Sequence, residues 1–159
     1  MEKIKIKLFT LMCIPIICFG QSNLSIHEIS TIKNKIDFKK VVNENGFIKY
    51  YEGVELCYGF DMSYDKKSST WAYYNLNTLE ASFVFYNYDT FERIKSEILS
   101  YCRFHSVIEQ ESYDQMCYTY SVKENNRLIC YHTLLEYDNK IDRDVKSYVI
   151  STFEKNLLD

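Results

Sequence analysis

The sequence predicts an α+β domain: a mainly antiparallel sheet of five to seven strands with helices packed on one face. Three observations carry the prediction. Short runs of alternating apolar and small or polar residues recur, most clearly in Leu56-Cys57-Tyr58-Gly59-Phe60-Asp61-Met62-Ser63, and period two marks a half-buried strand. Aromatic residues make up 16% of the chain, with 15 Tyr and 10 Phe, and such side chains favour a pleated surface. One strong helical stripe, Phe91, Ile94, Ile98, Leu99 and Cys102, stands between groups of strand runs rather than alternating with single strands. That stripe is the most secure helix of the sequence.

The N-terminus is set aside before folding is considered. Lys3, Lys5 and Lys7 precede an apolar run from Leu8 to Phe19 that is short for a membrane span. Cys18 and Gly20 are small residues placed for cleavage before Gln21. This is the pattern of a cleaved export signal over residues 1–20, and it resembles the leaders of Gram-negative periplasmic and secreted proteins. The remainder, 21–159, reads as one domain large enough for a real core. Its contact with a membrane is then through the cleaved signal alone.

Taken in order, Ser25-Ile26-His27-Glu28 has the spacing of a capping box. Residues 25–44 read as one helix or two abutting ones, with Asn45-Gly46 as the stop. Phe47 to Ser63 is strand material. Trp71 to Tyr74 and Ala81 to Tyr86 form a hairpin around Asn75-Leu76-Asn77-Thr78. Asp89 and Glu92 are placed to cap the helix of the Phe91 stripe. Strands follow over 104–109, 116–122 and 127–137. Val145, Tyr148, Val149, Thr152 and Phe153 fit a C-terminal helix over 142–157.

The two halves can be overlaid, residues 25–86 on 89–137, as a duplicated α-β-β-β unit. Phe38 then falls on Phe91, Leu56–Phe60 on Met116–Tyr120, and Trp71–Tyr74 on Ile129–His132. The alternative reading is that any two helix-then-meander segments look alike at this resolution.

Loss of the leader removes Cys13 and Cys18 and leaves four cysteines, Cys57, Cys102, Cys117 and Cys130. An even count in an oxidising compartment makes all four disulfide candidates. The loop 123–126 sets a register in which Tyr120 faces Ile129 and Tyr118 faces Tyr131 on the helix side. Thr119 then faces Cys130, and Cys117 faces His132, on the other. The overlay adds Cys57 and Ala72 to that second side. Cys130 is only diagonal to Cys117, so Cys57 or Cys102 is the expected partner of Cys117.

Cys117, Cys130 and His132 are the one candidate cluster for chemistry. Thiolate and imidazole ligands suit zinc or copper, and a Cys–His pair suits nucleophilic catalysis. However, Cys-x-x-His (Cys102, His105) with Cys-x-His (Cys130, His132) is no established metal spacing, and export favours oxidation. The pairs Glu109/Glu111, Glu52/Glu55 and Asp142/Asp144 read as solvated edges. No phosphate loop, nucleophile elbow or calcium loop is present in the sequence, so no catalytic, cofactor or metal site is assigned. A net charge of −3 gives no electrostatic case for nucleic acid. The expectation is a periplasmic or secreted, non-enzymatic recognition domain meeting a protein partner, such as an inhibitor or toxin-neutralising protein. It would use the second sheet face or a Tyr-rich edge. The alternative is a small exported enzyme or metal-binding protein built on the Cys/His side.

Overall fold

Local capping chemistry places the first helices. The computed structural model describes residues 22–63, 67–110, 115–122, 125–138 and 143–155; the expected leader lies outside them. Helix α1 spans Ile26–Thr31 and is closed by the Ser25/Glu28 capping box, in which the Ser25 N–H donates to the Glu28 carboxylate at 2.8 Å. Extended backbone at Ile32 ends it. Asn34 starts α2, Lys35–Glu44, by accepting from the Ile36 and Asp37 N–H groups. Residues 25–44 are therefore two helices. At the end of α2, Gly46 takes φ +75°, a conformation that costs glycine little.

Eight strands and one further helix follow: β1 (Ile48–Glu52), β2 (Glu55–Phe60), β3 (Thr70–Asn75), β4 (Ala81–Phe85), α3 (Tyr88–Tyr101), β5 (Cys102–Gln110), β6 (Gln115–Val122), β7 (Arg127–Asp138) and β8 (Arg143–Glu154). The cap of α3 is Asn87, whose side chain accepts from the Thr90 N–H, and Asp89 sits in the first turn. All eight strands form one sheet in the order β1-β2-β3-β4-β8-β7-β6-β5, and neighbouring strands are antiparallel.

The strand count is thus eight rather than five to seven. The added strand is β8, which occupies 143–154 where a helix over 142–157 was expected. Val145, Tyr148, Val149, Thr152 and Phe153 have helical spacing and fall on both faces of the strand, but β-branched and aromatic residues dominate the segment and favour the sheet. Strand β8 pairs with β4 on one side and β7 on the other, so it joins the two halves.

Each half is helix followed by four strands. The registers carry one half onto the other. With Tyr58 set on Tyr118, their cross-strand partners set Ala72 on Tyr131, and the next partners set Phe83 on Ile150. Phe83 and Ile150 are themselves paired across the β4–β8 junction. The overlay of 71–74 on 129–132 is therefore out by one residue. Ala72 belongs to the helix side, where it is fully buried, and not with Cys57. Both outer strands carry a bulge, between Lys49 and Tyr51 in β1 and between Phe104 and Ser106 in β5, a device that discourages further strand addition.

The helices bury one sheet face. Leu56 and Tyr58 from β2, Ala72 and Tyr74 from β3, Phe83, Ile129 and Ile150 meet Phe38, Val42, Phe91, Ile94 and Ile98 from α2 and α3 in one cluster. Each fully buried large side chain here contributes about 1.5–3 kcal/mol by leaving water. Leu99 of the α3 stripe is 55% exposed. Polar ties hold the N-terminal segment to α3. Arg93 pairs with Glu97 at 2.8 Å and donates to the Ser22 and Leu24 carbonyls, while the Ile26 N–H donates to Glu97.

Candidate functional site

The long strands β7 and β8 outrun the helix above them. Twelve residues of strand reach about 40 Å at 3.3 Å per residue, whereas the fourteen residues of α3 reach about 21 Å. The helix-side surface of β6–β8 beyond the start of α3 is therefore left uncovered. It forms a cleft of about 710 Å³ lined by Tyr88, Phe91, Tyr118, Tyr131, Lys146 and Tyr148, among others.

The cleft wall is a chain of touching rings. Phe91 stacks on Tyr148 with centroids 4.6 Å apart, and Tyr88 leans on Tyr148 at 5.4 Å. Tyr131 is stacked between Tyr118 at 5.3 Å and Tyr120 at 5.7 Å. Two ammonium groups stand over these rings: Lys95 Nζ, 5.7 Å from the Tyr131 centroid, and Lys146 Nζ, 5.4 Å from that of Tyr148. Lys95 is also paired with Glu92 at 3.0 Å. Burial, reinforced by a hydrogen bond with Tyr120, holds the Tyr131 phenol well above its ordinary range. A hydrogen bond to Glu92 raises that of Tyr88. Both phenols are therefore protonated at neutral pH. They serve as hydrogen-bond donors and apolar platforms, and their shifts lead away from acid–base work.

Of the candidate cluster read from the sequence, His132 also borders this cleft, whereas Cys117 and Cys130 do not line it. Strands β6 and β7 pair as the loop length dictates, Thr119 with Cys130 and Tyr118 with Tyr131. Tyr58 and Tyr120 are buried in the helix-side cluster. On the other face a disulfide joins Cys117 to Cys130, which corrects the expectation that Cys117 pairs with Cys57 or Cys102. The two cysteines are diagonal, but their Cα atoms are 6.0 Å apart, inside the span a disulfide accepts; strand twist shortens one of the two diagonals. Cys57 is on β2, with β3, β4, β8 and β7 between it and β6. Cys102 is buried on the helix side. Burial pushes the Cys57 thiol up to about 11, against the pull of a hydrogen bond with Tyr73, so it is a poor nucleophile at neutral pH.

The structure does bring Cys117, Cys130 and His132 together, their ligand atoms all within 4.8 Å of one another. Nδ1 of His132 is buried and has no hydrogen-bond partner. Burial lowers the His132 pKa, with Glu80 opposing, so the ring is neutral at pH 7. With the sulfurs oxidised, neither a thiolate ligand nor a thiolate nucleophile is present. His27 is exposed in the first turn of α1, and His105 lies at the β5 bulge, exposed.

Of the carboxylates, Glu52 gathers Lys35 at 3.1 Å, Lys39 at 2.8 Å and Lys49 at 3.4 Å, and Glu55 and Asp144 are exposed. Glu111, Asp142 and the Glu109 side chain lie outside the described residues. Among the described residues no helix is long and apolar enough to cross a membrane.

The cleft residues Tyr88, Lys95, Lys146 and Tyr148 escaped the reading of the sequence. The signal was present in Tyr118, Tyr120 and Tyr131, three tyrosines on the helix-facing side of one hairpin. It was incomplete because Lys146 and Tyr148 were placed on a helix. Comparison with known proteins adds no relative: the chain matches no family model, and no curated protein or solved structure matches it significantly.

Proposed function

We propose that the chain is an exported, non-catalytic recognition domain whose partner is a protein, bound through the tyrosine cleft between α3 and β6–β8. The observation that carries this reading is the cleft wall itself: Tyr88, Phe91, Tyr118, Tyr131 and Tyr148, the five aromatic side chains that line it, form one connected set of ring contacts, open to solvent at Tyr88 and Tyr118. Rings already stacked on one another lose little freedom when a partner docks, and Tyr is the residue type favoured at the centre of protein contacts. Lys146 at the rim favours a partner segment that carries a carboxylate beside an apolar side chain, the charge of Lys95 being answered by Glu92 in the same wall.

The test is selection of displayed peptides against the native chain, followed by binding measurements on Tyr118→Ala and Tyr148→Ala. Selected peptides are expected to combine acidic and apolar residues and to lose about tenfold or more in affinity to either variant, the scale of a contact hot spot. Peptides that bind both variants as tightly as the native chain would refute the cleft as the recognition site.

A further inference from the structure

On the sheet face away from the helices, we infer that Cys117, Cys130 and His132, the last of which also borders the cleft, form a redox-gated site for a divalent thiophilic ion, Zn²⁺, closed by the disulfide and opened by its reduction. Three observations meet there. The two sulfurs and a ring nitrogen of His132 lie within 4.8 Å of one another. Around tetrahedral Zn²⁺ such donors stand about 3.5–3.8 Å apart, so small side-chain rotations suffice once the S–S bond is gone. Nδ1 of His132 is buried without a partner, and an orphaned buried nitrogen calls for an absent one, such as an ion. Cys130 is buried while Cys117 and His132 are half-buried, which leaves an approach from one side.

Charge selects the ion. Two thiolates and a neutral imidazole balance a divalent cation, so the loaded site is neutral, as a buried site must be to avoid a large desolvation cost. A monovalent ion would leave a buried negative charge. Three protein ligands leave a fourth position for water.

The chemistry balances in two steps. A dithiol reductant gives two electrons and two protons to the Cys117–Cys130 bond, becoming a disulfide itself and leaving two thiols. Zn²⁺ then displaces the two thiol protons as both sulfurs bind. Oxidation of the pair by an added disulfide expels the ion.

The test uses the whole chain with Cys57→Ala and Cys102→Ala, so that this pair holds the remaining thiols outside the leader. Co²⁺ serves as the spectroscopic probe and a chromophoric chelator as the competitor for Zn²⁺. The reduced protein is expected to bind one Co²⁺ with thiolate charge-transfer and tetrahedral ligand-field bands, and the oxidised protein none. His132→Ala is expected to weaken Zn²⁺ binding by about a hundredfold, at least the loss seen for a supporting residue of a metal site. A reduced protein that gives no such bands, or equal Zn²⁺ affinity in His132→Ala, overturns the inference. If the reduced chain unfolds, circular dichroism decides: Zn²⁺ must restore the folded spectrum, and failure to do so at excess metal also overturns it.

Discussion

In the first half of the molecule Phe38 of α2 is fully buried, stacked on Tyr74 at 5.2 Å and edge-on to Tyr58 at 5.7 Å. In the second half Phe91 of α3 plays the same part, stacked on Tyr148 at 4.6 Å and edge-on to Tyr131 at 6.0 Å. The first cluster is closed and the second opens into the cleft. The difference comes from the chain around the two rings. The first half has α1 beside α2 and short strands of five or six residues. The second half has one helix and strands of eight to twelve residues. A helix covers strands only as far as it runs, so lengthening the strands without adding a helix turns a closed core into an open cleft. The same order of helix then strands thus yields a closed half and an open half.

The comparison breaks most readily at the two phenylalanines. Phe38→Ala is expected to cost about 3–5 kcal/mol, because a cavity among Tyr58, Tyr74 and Phe83 has no solvent to fill it. Phe91→Ala is expected to cost at least about 1 kcal/mol less, since Phe91 already borders open cleft and water can occupy part of the space. Denaturant unfolding followed by the fluorescence of Trp71 gives both values. Equal costs would show that the second cluster is as closed as the first.

The disulfide tests whether the open half needs a staple. The bond spans 13 residues, a loop whose closure is worth about 3 kcal/mol in the chain-entropy account. Cys117→Ser is expected to lower stability by that order. Hydrogen exchange should accelerate first in β5–β7, where one helix gives the least cover, and only later in β2–β4. Uniform acceleration across the sheet would mean that the two halves unfold as one and that their difference is confined to the surface.

Much of this architecture was legible because the physics that sets it is local. Ser25 with Glu28, the Phe91-Ile94-Ile98 stripe, and the register of the 116–122 and 127–137 strands all depend on neighbours a few residues away. What was hidden depends on the other half of the chain. Residues 143–154 carry a helical spacing, and only the pairing edges of β4 and β7 decide that they become a strand. The Cys117–Cys130 bond depends on which diagonal the sheet's twist shortens, a property of the assembled strands. The cleft was missed for the same reason: Tyr118 and Tyr131 look like core until the helix above them is seen to stop short.

Tyr118 sharpens the comparison at the level of one side chain. It corresponds to Tyr58, yet Tyr58 is 4% exposed and Tyr118 is 40% exposed. Tyr58→Ala is expected to cost about 3 kcal/mol or more as a core truncation, and Tyr118→Ala about 1 kcal/mol or less. Tyr118→Ala should nevertheless lose peptide binding. A residue that matters for binding and little for stability is the signature of a site, and a large stability loss at Tyr118 would place it in the core instead.

The smallest expected effect lies at the outer edge of the first half, where Glu52 on β1 ties that strand to α2 through Lys39 and Lys35. Hydrogen bonds from those two lysines hold its carboxyl at about 2, against an ordinary value of 4.5. A depressed carboxyl gives stability that is present above the ordinary value and is lost as pH falls through that window towards 2. The native chain should therefore lose more stability than Glu52→Gln between about pH 5 and about pH 2, and the gap should shrink in high salt because the pairs are solvent-exposed. The acid-dependent loosening should therefore appear in β1 and α2 by hydrogen exchange and spare β5. Equal loosening of both outer strands would mean that acid acts on the molecule's overall charge and not on this pairing.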